Sequence, residues 1–286
     1  TFSASNLPLQ VTSTQEVCVG CAVIRDSFAQ MRSEIGQVVV GQQRIIDLVL
    51  VSIFANGHVL LEGPPGLGKT LLVRTLGEVL HLSTGRIQCT ADLMPADIVG
   101  TTIVDQNEST NTRQFTFRKG PVFHNLLLAD EINRATPKCQ SALLESMQER
   151  SVSIDGTTRE LPNPFFVLAT QNPIEQEGTY PLPEAQLDRF MFNILIHYPD
   201  QSEEIDIVRR LTSTNQQSIS PVISKEDLSK FQDLIKQVPV ADNVIEYAVN
   251  LVAMTRPSNE KSPQITKDWL DWGAGPRAST FLVMAA

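Results

Sequence analysis

The apolar positions of the chain follow two different periods. Four of them near the N-terminus recur at helical spacing: Ile24, Phe28, Met31 and Ile35. Similar stripes predict helices over residues 43–55 and 69–80. Short, almost continuously apolar runs lie between the helical stretches, which is typical of strands covered on both faces. We predict five such strands, at His58–Glu62, Arg86–Thr90, Asn125–Ala129, Phe165–Thr170 and Phe192–Ile196. This alternation indicates a parallel sheet with crossover helices, and therefore an α/β fold.

Two segments interrupt the alternation. The first, Ile98–Phe117, holds short β-like pieces around a polar loop. The second, Ser151–Leu161, has the alternation and the Asp-Gly pair of a β-hairpin. After Tyr198-Pro199 the pattern is helical only, and it includes two predicted capping boxes, Asp200/Glu203 and Ser224/Asp227.

These changes of pattern divide the chain into three parts. We predict an unassigned segment over 1–23, an α/β core over 24–198 and a smaller helical domain over 199–286. The chain does not begin with Met, and it ends nine residues after a helix opens at Arg277. We therefore expect the protein to continue at both ends.

Composition and charge narrow the function classes. The 286 residues are 42% hydrophobic and 19% charged, which suits about two globular domains. A net charge of −9 disfavours a dedicated nucleic-acid binder, since such proteins usually carry a basic balance. Apolar stretches such as Leu48–Ala55 are too short to span a bilayer and no secretory signal is evident, so we expect a cytoplasmic protein. Cys18 and Cys21 form one C-x-x-C pair, which is half of a typical zinc-site pattern, and we interpret both as reduced thiols.

A glycine-rich loop follows the first predicted strand and opens a helix. It consists of Gly63, Pro64, Pro65, Gly66, Leu67, Gly68, Lys69 and Thr70, with Leu71 next, and it fits G-x-x-x-x-G-K-[ST]. Glycines let backbone N–H groups approach phosphates, and the helix directs its dipole at them. Lys69 would reach the β- and γ-phosphates of ATP, and the Thr70 hydroxyl would ligate Mg²⁺. The alternative, a chance glycine-rich turn, lacks this strand-and-helix context.

Two carboxylates end a buried strand further along. Asp130 is suited to hold Mg²⁺ through its waters, and Glu131 to polarise the water that attacks the γ-phosphate. Taken alone, this pair would be two ordinary charged residues at a strand end. Asn172 ends another apolar strand, where it either positions the attacking water or forms a turn before Pro173.

Two arginines are candidates for sensing or stabilising the phosphates. Arg189 either forms a surface ion pair with Asp188 or Glu184, or acts as an arginine finger near a γ-phosphate. Arg277, at the start of a helix in the second domain, has the same two interpretations.

In their order and in their residues, these motifs resemble those of the MoxR branch of the AAA+ ATPases. The resemblance extends from about Phe28 to the last residue. Five segments carry the resemblance: Gly63–Thr70 (Walker A), Leu127–Arg134 (Walker B), Ala169–Pro173 (sensor 1), Leu182–Phe190 (finger segment) and Gly273–Ser279 (sensor 2). The segment 1–23 does not match, and Gly275 stands where the family usually has Ser.

The resemblance implies an AAA+ core with a small helical lid. Segment 98–117 would be the helix-2 insert and 151–161 the hairpin before sensor 1. Arg189 would act in trans within a ring, typically a hexamer, Arg277 would sense nucleotide, and Val40 and Gly41 would lie near the adenine. The activity would be magnesium-dependent ATP hydrolysis that drives chaperone-like remodelling or maturation of protein complexes, often with von Willebrand factor A domain proteins. Because the lid is short, we expect this chain to hydrolyse ATP poorly.

Two related functions remain as alternatives. A nucleic-acid motor of the MCM type has the same ATPase motifs, but it needs basic residues on the loops that line its channel. The insertions mix both charges instead: Asp105, Glu108, Arg113, Arg118 and Lys119 in the first, and Asp155, Arg159 and Glu160 in the second. A metal-chelatase subunit is the other alternative, and the stretch 172–190 fits the MoxR branch better.

Overall fold

The computed structural model describes residues 14–107, 112–174, 178–212 and 219–286. Residues 1–13, 108–111, 175–177 and 213–218 lie outside this description. These ranges include the first part of the unassigned segment, Glu108 and the centre of the first insertion, three residues of the stretch 172–190, and six residues of the predicted helical domain.

The elements of the described residues alternate as the pattern predicts. The strands are β1 (Val59–Glu62), β2 (Thr84–Gln88), β3 (Gly100–Asn107), β4 (Thr112–Lys119), β5 (Leu126–Asp130), β6 (Ser151–Ile154), β7 (Thr157–Glu160), β8 (Phe166–Gln171) and β9 (Phe192–Leu195). The α-helices are α1 (Thr14–Val38), α2 (Gln43–Phe54), α3 (Lys69–Val79), α4 (Pro95–Val99), α5 (Pro137–Glu149), α6 (Glu184–Leu187), α7 (Gln201–Thr212), α8 (Lys225–Ile235), α9 (Asp242–Ala253), α10 (Gln264–Trp269) and α11 (Pro276–Ala285).

The central sheet has the strand order β2-β5-β8-β1-β9, and every neighbouring pair is parallel. The predicted α/β class is therefore confirmed, and each of the five predicted strands lies within two residues of its expected bounds. Because all five strands run the same way, their carboxyl ends meet at one edge of the sheet. Ligands of open α/β sheets bind at that edge.

Successive strand residues point into two separate cores. In β1, Val59 and Leu61 face a core that α1, α2 and α3 cover, whereas Leu60 faces the core on the other side, under α5. Strands β5 and β8 divide their side chains in the same way. Burial on both faces explains the unbroken apolar runs of the sequence, and it fixes the positions of the strand ends that carry the polar residues.

Helix α1 begins ten residues before the apolar stripe that predicts it. Met31 and Ile35 of the stripe are fully buried. The preceding turns also pack: a Cβ on Gly20 would lie 2.2 Å from Leu234 Cδ2 of α8. The segment predicted as unassigned therefore contains helix from Thr14 onwards. The apolar stripe does not predict these first turns of α1, because Gly20 packs against Leu234 by having no side chain.

Both insertions form antiparallel hairpins, and the two hairpins touch. Strand β3 pairs with β4, and β6 with β7. The Thr102 hydroxyl donates to Asp155 Oδ2 across 2.7 Å. The Arg159 guanidinium lies over the Phe117 ring, 4.0 Å from its centroid. A hydrogen bond and a cation–π contact thus join segments that are far apart in the chain.

Helices α7 to α11 follow the last strand of the described residues. The first predicted capping box is confirmed, since the Glu203 N–H donates to Asp200 Oδ1 at 2.8 Å and the Asp200 N–H donates to Glu203 Oε2 at 3.0 Å. The Asp227 N–H likewise donates to the Ser224 hydroxyl at 3.1 Å. Within the described ranges, no helix has the length and apolar character to cross a membrane.

His58 is a buried polar residue at the start of β1. Its Nδ1 accepts from the Val167 N–H at 3.0 Å, so Nε2 carries the proton and faces the Met147 carbonyl at 3.3 Å. Burial, and to a lesser extent the charge of Arg150, lowers the pKa of His58 to about 4. The folded protein therefore holds this ring neutral at a pH where an unfolded chain protonates it.

This predicts an acid-sensitive free energy of unfolding. Between pH 6.5 and about 4 the unfolded chain binds a proton at His58 that the folded chain does not, so stability falls as pH falls. The loss amounts to about 3 kcal/mol, since each pKa unit corresponds to about 1.4 kcal/mol. Urea unfolding at pH 7 and pH 5 should show His58→Gln losing less stability on acidification than wild type. The exposed His197→Gln should behave as wild type; an unchanged pH dependence in His58→Gln would contradict the assignment.

Candidate nucleotide site

The glycine loop lies between β1 and α3, at the carboxyl edge of the sheet. Gly66 and Gly68 have φ angles of 83° and 75°, a region that favours glycine, and a Cβ built on either one would meet no described residue within 4 Å other than its chain neighbours. Gly63 differs, because a Cβ there would lie 2.6 Å from the Ile196 carbonyl oxygen. The loop therefore needs glycine for two reasons: a left-handed backbone facing open space, and close packing against the strand segment behind it.

The start of α3 is free to receive an anion. Its N-cap is Gly68, and no side chain in the described part of the chain caps its first N–H groups. Lys69 begins the helix, and its Nζ donates to the Gly63 carbonyl at 2.8 Å, which holds the ammonium across the loop. Thr70 and Leu71 follow and are exposed. Backbone donors, a dipole end and an ammonium facing one open space fit the phosphates of a nucleotide.

The two candidate carboxylates lie two strands away, with β8 between them and β1. Asp130 is the last residue of β5, and Glu131 takes a left-handed conformation with φ 57°. The buried Thr170 hydroxyl of β8 holds both residues: it donates to Asp130 Oδ1 at 2.7 Å and accepts from the Glu131 N–H at 2.8 Å. One side chain of the central strand thus sets the direction of the acid pair.

The glycine loop and the acid pair are close enough to interact. Burial lowers the pKa of the Lys69 ammonium, and the negative charges of Asp130 and Glu131 oppose that shift. The two acids therefore lie within electrostatic reach of the lysine that spans the loop. The Thr70 hydroxyl and the Asp130 carboxylate are oxygen donors of the kind Mg²⁺ takes, and Mg²⁺ typically keeps several of its waters. The residues fit both a nucleotide and its divalent cation.

Three further polar residues surround the acid pair: Arg86 and Gln88 lie outside the motifs, and Arg134 is the last residue of the Walker B segment. Arg86 of β2 donates to Asp130 Oδ2 at 2.8 Å, and Gln88 of the same strand donates to Glu131 Oε2 at 3.3 Å. Arg134 also donates to Glu131 Oε2, at 3.2 Å. The only signal in the sequence is that Arg86 and Gln88 alternate with the buried Ile87, which places them on one exposed face of a strand.

Asn172 and the segment 40–42 border the site. The Asn172 side-chain oxygen accepts from the Ile174 N–H at 3.1 Å, so the turn-forming interpretation describes its contact, and a role towards water stays a prediction. Gln42 Nε2 donates to the Leu67 carbonyl at 3.4 Å and ties Val40 and Gly41 to the glycine loop. A Cβ on Gly41 would lie 2.3 Å from Glu203 Oε1, so α7 closes over this segment.

The two candidate arginines both contact the α6 segment. Arg189 donates through Nη1 to the Ala185 carbonyl at 2.9 Å, and its buried Nε has no hydrogen-bond partner among the residues that the structure describes. Arg277 Nη1 lies 3.2 Å from Asp188 Oδ2, which joins α11 to the residue preceding Arg189. The structure therefore brings Lys69, Thr70, Asp130 and Glu131 to one region, and it joins both arginines to the α6 segment.

Comparison with known proteins places this geometry in a family. A profile of the ATPase family associated with various cellular activities (AAA) matches residues 58–192, the part that holds the glycine loop, the acid pair and Arg189. Protein MoxR of Methylorubrum extorquens is 35% identical over 278 residues, which cover 92% of this chain and 79% of that protein. The chain belongs to the MoxR family of AAA+ ATPases.

Other relatives of this MoxR-family chain are more similar in sequence. Chaperone MoxR1 of Mycobacterium tuberculosis and YeaC of Bacillus subtilis are each 46% identical over 88% of the chain. The matches span 66% and 75% of those two proteins, so both are longer than this chain. A crystal structure from Cytophaga hutchinsonii, described as that of a candidate ATPase, superposes with a TM-score of 0.85 at 43% identity, over 94% of this chain and 81% of that one.

Proposed function

We propose that this chain hydrolyses ATP in a magnesium-dependent reaction, and that a ring of its copies uses the released energy to remodel protein complexes. One observation carries the proposal: Lys69 bridges the glycine loop at the carboxyl edge of the sheet, the edge at which the Thr170 hydroxyl holds the Asp130 carboxylate and the Glu131 N–H. Membership of the MoxR family of AAA+ ATPases supports the reaction class.

In this proposal the loop and its helix bind the phosphates. Backbone N–H groups of the loop contact phosphate oxygens, and Lys69 neutralises the β- and γ-phosphates. Thr70 and Asp130 are the residues that would hold Mg²⁺. The ion supplies positive charge to the phosphate oxygens. Val40 and Gly41 line the adenine side, and Leu71 continues the helix beneath the phosphates.

The acid at position 131 performs the proton transfer. Glu131 accepts a proton from a water whose oxygen attacks the γ-phosphorus, the bond to the bridging oxygen breaks, and ADP and phosphate leave. Asn172 orients that water. Arg189 of a neighbouring copy neutralises charge that develops on the transferred group, and Arg277 reports the nucleotide to the C-terminal helices. These arginine roles rest on the family resemblance.

Loss of the Lys69 ammonium should remove most of the nucleotide affinity. We expect Lys69→Ala to weaken binding of MgADP by roughly 100-fold, because charge-assisted hydrogen bonds to phosphate contribute about 1.5–3 kcal/mol. Calorimetric titration of the folded variant measures this directly. Lys236→Ala removes an exposed ammonium from the residue that follows α8 and should bind as wild type does. Binding within threefold of wild type in Lys69→Ala would show that the loop is not the phosphate site.

The chaperone-like role rests on the relatives and on one surface. The Mycobacterium tuberculosis relative carries the name chaperone. On the β3–β4 hairpin of this chain, the side chains of Val104 and Phe115 are 54% and 77% exposed and stand opposite each other. An exposed apolar pair suits contact with a polypeptide. We propose client complexes and von Willebrand factor A domain proteins as partners. Salt-dependent stimulation of the ATPase by DNA would favour the nucleic-acid motor instead, and stimulation by porphyrin would favour the chelatase.

A further inference from the structure

Arg86 contacts Asp130 from the side of the sheet opposite the glycine loop. It lies on the edge strand β2, where its register partner on β5 is Leu128, two residues before Asp130. Its side chain extends along the sheet to the strand end, and Nη2 contacts both Gln88 Oε1 at 2.7 Å and Asp130 Oδ2 at 2.8 Å. The guanidinium is therefore held between two acceptors at the carboxyl edge.

This contact completes the set of partners around Asp130. Oδ1 accepts from the Thr170 hydroxyl, and Oδ2 accepts from Arg86. The Asp130 side chain is 18% exposed and that of Arg86 is 51% exposed, so the aspartate is sheltered while the arginine can move outwards. A hydrated divalent cation near Asp130 would need Oδ2, the oxygen that the guanidinium holds.

We propose that Arg86 is a positioning residue that neutralises Asp130 until a divalent cation arrives and is then displaced from Oδ2. The inference rests on the proposed function, because it takes the cation to be the one that accompanies a nucleotide. Thr170 keeps its bond to Oδ1 throughout, so the carboxylate stays aimed while its second oxygen changes partner. The arginine and the hydrated metal ion are competing cations for one carboxylate oxygen.

Two opposite effects on affinity follow from this competition. Without the metal, Arg86 screens the triphosphate from the Asp130 charge, so removing Arg86 weakens metal-free binding. With the metal, Arg86 opposes the cation, so removing it strengthens binding. The ratio of the dissociation constants without and with Mg²⁺ isolates both effects, because a general loss of structure changes the two constants together.

The test is calorimetric titration of the full chain with a non-hydrolysable ATP analogue, once in excess EDTA and once in excess MgCl₂. In Arg86→Gln we expect the ratio to rise about tenfold over wild type, since loss of an ion pair of this exposure changes each affinity about threefold. Arg86→Lys keeps the charge and should return the ratio most of the way to wild type. Arg86→Met, a second neutral variant, should repeat the Arg86→Gln result.

A matched control and three outcomes separate the explanations. Arg74→Gln breaks a similar arginine–carboxylate pair, with Glu78 on α3, and should leave the ratio unchanged. A ratio within twofold of wild type in both neutral variants overturns the inference about Arg86, and so does an equal rise in Arg86→Lys. If wild type binds the analogue under neither condition, the proposed function itself fails.

Discussion

Glu131→Gln is expected to bind ATP as tightly as wild type and to hydrolyse it about 10³-fold more slowly. The amide keeps an oxygen that can accept from Gln88 and Arg134, and the backbone bond to Thr170 does not involve the side chain. What the variant loses is the ability to take a proton from water, a contribution of about 10²–10⁴ in rate. Phosphate release under single-turnover conditions, together with calorimetric binding of ATP, measures the two quantities separately.

The control for this variant is Glu78→Gln. Glu78 is an acid of α3 that pairs with Arg74 on the surface, and its loss should leave turnover unchanged. Turnover in Glu131→Gln that reaches a tenth of the wild-type rate would show that another group activates the water. Loss of binding instead of turnover would assign Glu131 to the phosphate contacts.

Arg189→Ala is expected to lose turnover by about 10³-fold with nucleotide binding little changed. The guanidinium contacts its own α6 helix, and action on the nucleotide of an adjacent copy is the role that the family resemblance implies. Steady-state ATPase assays and calorimetric binding of MgADP measure the two effects. Arg25→Ala, which removes a largely exposed arginine of α1, should behave as wild type.

Mixing distinguishes action in trans from action in cis. An Arg189→Ala copy keeps a complete phosphate loop, and a Lys69→Ala copy keeps a complete finger segment. Where the two stand side by side in one ring, the second completes the site of the first, and the mixture should recover ATPase activity that neither variant has alone. If the mixture shows only the sum of the two separate activities across a range of ratios, the finger assignment in trans is wrong.

Local patterns were sufficient to predict the position of the glycine loop and of the strand ends. The loop motif fixes backbone requirements within eight residues, and the positive φ angles at Gly66 and Gly68 are the conformations that its glycines allow. Strands β5 and β8 are recognisable because they are apolar on both faces, so the residues that end them could be predicted to meet at one edge. These predictions needed no knowledge of which strand lies beside which.

The contacts that depend on strand order could not be predicted in this way. Arg86 reaches Asp130 across 44 positions of sequence because β2 lies beside β5, and nothing in the residue pattern specifies that neighbour. The stacking of Arg159 on Phe117 has the same origin, since it joins two hairpins from separate insertions. The N-terminal turns of α1 are a third case, because Gly20 packs by lacking a side chain.

The ion pair between Arg277 and Asp188 has a mechanical consequence. Asp188 and Arg189 are consecutive residues of the finger segment, so the ion pair joins α11 directly to that segment. Any rotation of the C-terminal helices must either break this ion pair or move the finger segment with it. In the ring proposed above, a subunit whose own nucleotide attracts Arg277 would thereby alter the reach of Arg189 towards the next subunit, and the state of one site would pass to the adjacent one through the Asp188 carboxylate.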